Sequence, residues 1–515
     1  MRRAIAAAVM GGLVLGGLGG MAATPAFAAV PAAAGPATPA GPAVKTVVFH
    51  GYTLQVPANW PVYRLDEHPQ TCVRYDVHAV YLGTPGANMA CPAGLLGRTE
   101  AVSFLPAGSA APAPGGGSGQ PAQPEADAGI ELRRLPAVHS VIGQNAAQHE
   151  LVVALGATGA DGTVLGTYGT APGVIEQVLS TLHLAPAGAV PTEQTVPTEQ
   201  TVPTQRTVPT ERTVPTHRTV PTERTVPAHP QATRSVPVAQ RAAVAPARAK
   251  GKRNLTRNAP AAARTYTSWR GVPSDWPTQL VLPSQPAAHP VGGFDTCTAP
   301  SLAVMHVWRR AFGAVGAYIG GVNAACAYGN LSASWIRSVA AMGWGVLPIY
   351  VGPQATCWDG GNGVRIIPGK AAAQGNAAGV NAVNDARLFG LALGSPIYYD
   401  MEAYVGGTTC KQAVLTFLGA WDRRVTADGY LTAVYSSRDS GIADLQEWAV
   451  DRNPGFTAPD AIWIALWDGV AALNQGGLAW PLNEQSKQYS GNATVTVGGI
   501  TLSIDRDIVD GPVAR

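Results

Sequence analysis

What this chain has little of narrows its chemistry first. Its formal net charge is only +3 over 515 residues, so no excess of basic charge points to nucleic acid. A single histidine, His306, remains after Gly292, and the residue pattern puts it inside a helix. That leaves no histidine pair for zinc and no usable base for a Ser–His–Asp triad. Neither a P-loop nor a dinucleotide-binding glycine fingerprint is present, and no cofactor is expected. None of the six cysteines makes a close Cys-x-x-Cys pair, which argues against a metal site. Beyond the N-terminus, no apolar run reaches the length of a membrane span.

The N-terminus itself reads as an export signal. Arg2 and Arg3 precede the apolar, glycine-rich run Met10–Leu18, and Ala26-Phe27-Ala28 supplies a small-x-small cleavage site. A secreted protein, extracellular or associated with the cell wall, is therefore expected, with its cysteines oxidised. Residues 1–28 form the signal and 29–43 a proline- and alanine-rich spacer. Residues 44–184 carry strand patterns at Val47–Phe49, Tyr52–Val56, Val73–Tyr81 and Leu151–Leu155, with a helix expected over Val174–Leu184. They read as a small α+β module without a catalytic constellation, in which Cys72 and Cys91 most simply pair.

Residues 185–265 form a linker. Val190–Thr225 repeats V-P-T-x-x-T six times, and a proline at every sixth position disfavours helix, so a semi-extended stalk is expected. Arg234, Arg241, Arg248, Lys250, Lys252, Arg253, Arg257 and Arg264 then make the tether basic, suiting anionic wall polymers or simply keeping it solvated.

Residues 266–515 alternate strand and helix. Eight strand candidates, near Gly293–Asp295, Ala317–Ile319, Gly345–Tyr350, Pro396–Glu402, Thr432–Tyr435, Ile462–Trp467, Lys487–Tyr489 and Leu502–Ile508, predict an α/β fold closed as a (β/α)8 TIM-like barrel. Helix is sparse in the last two units. Barrel enzymes keep their reactive groups at the C-terminal ends of the strands, and acids recur there: Asp295, Asp400, Glu402, Asp468, Asp505 and Asp507. Asp400 and Glu402 are two apart in P-I-Y-Y-D-M-E, so in a strand they share one face. Such proximity drives their pKa values apart, as an acid–base pair for glycoside hydrolysis requires, although a calcium-binding pair or solvated acids would read alike. Closure makes the first and last strands neighbours, bringing Asp295 and Asp505 to one side of the mouth. Tyr399, Tyr404, Tyr435, Trp467 and Tyr489, with Trp358, are candidates for stacking on sugar rings. Among the later cysteines, pairing Cys297 with Cys326 and Cys357 with Cys410 joins adjacent loops with the least distortion.

The ordered motifs G-G-F-D-T-C at Gly292–Cys297, G-A-Y-I-G-G at Gly316–Gly321, Y-Y-D-M-E at Tyr398–Glu402, Q-Y-S at Gln488–Ser490 and I-D-R-D at Ile504–Asp507 together resemble the actinobacterial secreted glycoside-hydrolase-like family. That family is similar to the Chalaropsis-type lysozymes. The resemblance implies that Glu402 is the general acid, Asp400 its partner at the anomeric centre or the N-acetyl group, and Asp295 and Asp505 a supporting pair. In the lysozymes a Ser and a nearby Gln usually follow the first acid, whereas Thr296 and Cys297 follow Asp295 here, so the fold is implied more strongly than muramidase specificity. The leading expectation is a monomeric secreted glycoside hydrolase acting on cell-wall glycan, peptidoglycan first. The alternatives are a wall-binding protein that keeps the acids without turnover, and a calcium-dependent adhesion module.

Overall fold

The computed structural model describes residues 43–107, 133–135, 138, 140–156, 161–195, 290–451, 457–473 and 477–514. The expected export signal, five of the six repeats and the basic tether lie outside the described residues.

The N-terminal module begins with a hairpin, β1 (Val44–Phe49) and β2 (Tyr52–Pro57). His50 and Gly51 between them both have positive φ (46° and 78°), as a two-residue turn matched to strand twist requires. A larger sheet contains β3 (Val62–Arg64), β4 (Ala79–Leu82), β5 (Ala101–Pro106), β6 (Arg133–Leu135), β7 (Ser140–Asn145), β8 (Glu150–Leu155) and β9 (Gly162–Thr167), in the order β3-β4-β5-β9-β8-β7-β6. Helix α1 (Gly173–Ser180) ends earlier than its apolar periodicity suggests. The Thr181 hydroxyl accepts from the Gln55 amide, and the chain leaves the helix to add β10 (His183–Leu184) to the hairpin. Val190–Thr195, the first repeat, lies against this module rather than in a free stalk. Thr192 exchanges hydrogen bonds with Val48, and the Thr195 amide donates to Val62.

The C-terminal part is a mixed α/β structure around a closed eight-stranded barrel. Its elements are β11 (Val291–Asp295), α2 (Leu302–Trp308), β12 (Ala314–Gly320), α3 (Ala333–Ala341), β13 (Gly345–Tyr350), α4 (Ala371–Leu388), β14 (Pro396–Asp400), α5 (Thr408–Ala427), β15 (Leu431–Ser437), α6 (Gly441–Asp451), β16 (Ala461–Ala465), β17 (Gln485–Val497) and β18 (Ile500–Val509). Local signals set these bounds. Ser301 and Ser332 cap α2 and α3 by accepting from Val304 and Trp335, and Gly343 (φ 88°) follows α3. Gly375 in α4 permits close packing on α5, since a Cβ there would meet the Phe417 carbonyl oxygen at 2.2 Å.

The eightfold β/α alternation expected from sequence is not what closes the barrel. Strands β11 to β17 pair in parallel, but β18 runs antiparallel to both β17 and β11. Only Gly498 and Gly499 join β17 to β18, both at positive φ. Two residues make a hairpin, whereas a parallel return needs a crossover of about a dozen. The described residues between β16 and β17 contain a single short 3-10 turn, Leu482–Glu484. No helix among the described residues is long and apolar enough to cross a membrane.

Two apolar layers support the barrel. Phe294, Trp308, Trp344, Tyr399, Phe417 and Trp421 fill the space between strands and helices. Leu347, Ile349, Tyr398, Tyr435 and Trp463 fill the interior. The six cysteines form the three expected bridges, Cys72–Cys91, Cys297–Cys326 and Cys357–Cys410.

The module packs on the barrel along the segment that follows β12. The Tyr75 amide donates to Ala325 (2.6 Å), Ala327 to Val73 (3.2 Å), and Gly97 to Asn323 (3.0 Å). Cys297 and Ala327 of the barrel share one apolar cluster with Tyr63, Tyr75, Tyr81 and Met89 of the module. Inside this seam, Gln148 donates to both carboxyl oxygens of Asp385 at 2.9 Å and accepts from the Gly321 amide at 3.1 Å.

Candidate active site

Strand alternation assembles the site. In β14 the inward positions are Tyr398 and Asp400, and Met401 turns back into the outer core, so Glu402 faces inward again at the strand's end. Across the closure, Asp295 is the register partner of Asp505, as the neighbouring first and last strands require. Asp507, two residues on, shares the inward face of β18. Five carboxyl groups thus converge on one end of the barrel, and four of them, Asp295, Asp400, Asp505 and Asp507, are no more than 3% exposed. Glu402 is half-buried and opens onto solvent.

The hydrogen-bond donors around these acids are neutral. Tyr318 donates to Oδ1 of Asp295 (3.1 Å) and Gln488 to its Oδ2 (2.9 Å). The carbonyl oxygen of Gln488 accepts from Tyr435 (2.9 Å) and Trp467 (2.8 Å), which fixes the orientation of its amide. Trp463 donates to Asp507 and the Asn492 amide to Asp505. Gln354 ties the end of β14 in place, donating to the Asp400 carbonyl and accepting from the Glu402 amide, each at 2.8 Å. Among the described residues, Oδ1 of Asp400 is buried without a hydrogen-bond partner.

Burial and crowding raise every pKa in this group. Glu402 is pushed up to about 7, by burial first and then by Asp505. Asp295 is pushed up to about 6 by burial, against the pull of Gln488 and Tyr318. Asp400, Asp505 and Asp507 rise well above the usual range, again by burial and then by neighbouring acids. The cluster titrates as a set and holds protons at a pH where isolated carboxyls are fully charged.

The candidate aromatic residues divide. Tyr435 lies inside the barrel next to the acids, and Trp467 is 52% exposed at the mouth, held by its bond to Gln488. Tyr399 does not reach the mouth. Sitting between two inward residues, it points outward, donates to the Pro353 carbonyl and packs on Phe417 and Trp421. Tyr404 is buried with its hydroxyl on Asp444, and Tyr489 faces outward beneath the Arg506 guanidinium. Asp468 also stands apart, paired with the buried Lys487 at 2.8 Å. Tyr318 and Gln488 fall inside the motifs G-A-Y-I-G-G and Q-Y-S, so their presence near the site was legible. Gln354 had no such signal, because it acts through backbone atoms.

Glu402 and Trp358 border a groove of about 1420 Å³ that continues along the β17–β18 hairpin on one side and the N-terminal module on the other. That volume exceeds the roughly 300–1,000 Å³ of common small-molecule pockets.

With this geometry in view, residues 306–509 match the model of the family described as Rv2525c-like, glycoside hydrolase-like domain. Among solved structures, the chain is similar to an uncharacterized B. stearothermophilus protein, at 21% identity, covering 43% of this chain and 96% of that one, with a TM-score of 0.32. It is also similar to the Mycobacterium tuberculosis Tat-secreted protein Rv2525c, at 14% identity, covering 43% and 94%, with a TM-score of 0.29. The modular autolysin LytC from Streptococcus pneumoniae matches at 13% identity, covering 43% and 46%, with a TM-score of 0.27. No curated protein matches the chain.

Proposed function

We propose that the protein is a secreted glycoside hydrolase acting on cell-wall glycan, with peptidoglycan as the first candidate substrate. The observation that carries this reading is Glu402, half-buried on a long groove, with a pKa pushed up to about 7 and in no ion pair among the described residues. A carboxyl that keeps its proton near neutrality can protonate the leaving oxygen of a glycosidic bond. Asp400 stands behind it with an acceptor oxygen that has no hydrogen-bond partner among the described residues, suited to holding a substrate N-acetyl amide. Asp295 and Asp505 support the pair electrostatically, and Gln354 and Gln488 act as positioning residues. Tyr435 and Trp467, with Trp358 on the groove, are the aromatic groups placed to contact sugar.

A second reading, a wall-binding protein without turnover, is favoured by one observation: the supporting aspartates are almost closed to solvent. Reducing-end release from purified peptidoglycan and from chitin oligomers separates the two readings. Release by wild type that is lost in Glu402→Gln supports the hydrolase. Saturable binding to wall by the folded, disulfide-intact protein, with no release by either form, supports the binding protein.

A further inference from the structure

The groove has two walls, and only one belongs to the barrel. The barrel wall runs from Glu402 and Trp358 along the hairpin past Thr501. The facing wall is built by the N-terminal module from Gln70, Arg74 and the segment Asn88–Leu96. The Cys72–Cys91 bridge closes the base of this wall, and the Ala90 amide donates to the Gln70 carbonyl. Four contacts then fix it to the barrel side. Oδ1 of Asn88 accepts from the Ser301 amide (3.2 Å), Asn330 donates to the Ala87 carbonyl (2.6 Å), the Ala93 amide meets the Ser503 hydroxyl (3.4 Å), and Leu96 forms a β-bridge with Ala324. Gly94 comes so close to the acid cluster that a Cβ there would lie 3.2 Å from Oδ2 of Asp505. This wall is held from both sides and reaches the carboxyl groups themselves.

We infer that the N-terminal module is a structural half of the substrate site, and that its Gln70–Leu96 wall binds and selects a multi-ring, uncharged, hydroxyl- and amide-bearing glycan chain. The identity of that chain rests on the hydrolase reading above. The chemistry of the lining points the same way. Its charged side chains are Arg74 and Asp76, locked in a bidentate ion pair, and Glu402. With Arg74 and Asp76 cancelling one another, the groove offers no net positive charge to a polyanion. It offers instead the Gln70 amide, the threonine hydroxyls of the hairpin and the apolar faces of Leu95 and Trp358, which suit alternating polar edges and apolar faces of sugar rings. A preformed groove also binds without first ordering a loop.

The test uses the full chain and a position that is safe for folding. Gln70 is exposed, and its backbone rather than its side chain holds the loop. In a Glu402→Gln background, calorimetry with N-acetylated chitin oligomers compares Gln70→Ala, which removes an amide, with Gln70→Trp, which fills the groove. Gln177→Ala, exposed on the module's helix away from the groove, is the control. Loss of one neutral hydrogen bond weakens binding by roughly threefold to tenfold, and the tryptophan should weaken it further. With Glu402 restored, the same changes should raise KM more than they lower kcat. Unchanged affinity in both Gln70 variants overturns the inference, as does absence of oligomer binding by the parent. Reducing-end release by wild type is read separately, so release with unchanged Gln70 variants removes the module wall and leaves the hydrolase reading intact.

Discussion

Two of the places where the molecule buries carboxyl groups treat them differently. At the seam between module and barrel, Glu150 faces Arg98 at 3.1 Å, and both are 3% exposed. Burial raises the Glu150 pKa, while Arg98 pulls it back down. At the barrel mouth, five carboxyls crowd together and, among the described residues, none of them is in an ion pair. Their neighbours are tyrosine, tryptophan, glutamine and backbone amides. Away from the mouth, buried acids are held singly: Glu150 by a cation, Asp385 by the Gln148 amide and Asp422 by the Thr432 hydroxyl. Several acids crowded together without a cation, and made to repel each other, are the arrangement expected where proton transfer is the task. The contrast also extends to Asp468, an acid at a strand end by sequence. Lys487 holds its pKa below the usual range, and it plays no part in the cluster.

The comparison breaks first at Glu402. Glu402→Gln keeps shape and hydrogen bonding but removes the proton, so reducing-end release should fall by roughly 10²–10⁴-fold, with the melting temperature unchanged or raised. A fall in rate that tracks a fall in melting temperature would count against a catalytic role.

The seam should respond in the opposite sense. Arg98→Met strands Glu150 in a site it cannot leave, and breaking a buried pair from one side costs about 3–5 kcal/mol. Denaturant unfolding should report that loss. The double change Arg98→Met with Glu150→Leu should recover most of it, since the penalty belongs to the lone charge. An equal loss in both variants would mean that the contact, not the charge, holds the seam.

How far the sequence reached follows the same division between strand pattern and tertiary contact. Period-two alternation was enough to put Asp400 and Glu402 on one face, and barrel closure brought Asp295 beside Asp505. The same alternation argued against Tyr399, whose neighbours Tyr398 and Asp400 already occupy the inward face. The antiparallel β18 was legible in Gly498-Gly499, which leaves no room for a crossover. What the sequence could not reveal was the docked module. Its seam with the barrel uses backbone hydrogen bonds from Tyr75, Gly97 and Ala327, and such bonds leave no mark on residue type. Gln354 escaped for the same reason, binding backbone groups at the end of β14.

A smaller effect concerns stability and pH. The folded pKa of Asp295 lies near 6 and that of Glu402 near 7, against about 4 for unfolded carboxyls. A raised folded pKa means that the native state holds protons the unfolded state releases. The associated stability is therefore complete below about pH 4 and is lost as pH climbs through the folded values. The mouth should accordingly lower the melting temperature as pH rises from about 4 to 7. Asp505→Asn removes one charge and its repulsion on Glu402, so it should flatten that decline. It should also raise the melting temperature at pH 7 by about 2–4 °C for each kcal/mol of relief. Unaltered pH dependence in Asp505→Asn would mean that the cluster carries less charge repulsion in solution than its burial implies.

The last effect is the gentlest and is read in the rate. Asp505 is the first charge acting on Glu402 after burial itself. Without it the glutamate should release its proton at lower pH, and the alkaline limb of the pH–rate profile should move down from near 7. The direction is what discriminates. If Glu402 donates the proton, Asp505→Asn narrows the active range from the alkaline side and leaves the acid limb in place. If Glu402 accepts one instead, the same substitution widens the range on the acid side, because the base then survives to lower pH. One profile therefore assigns the glutamate's role without recourse to Glu402→Gln, whose loss of activity would look alike in both cases.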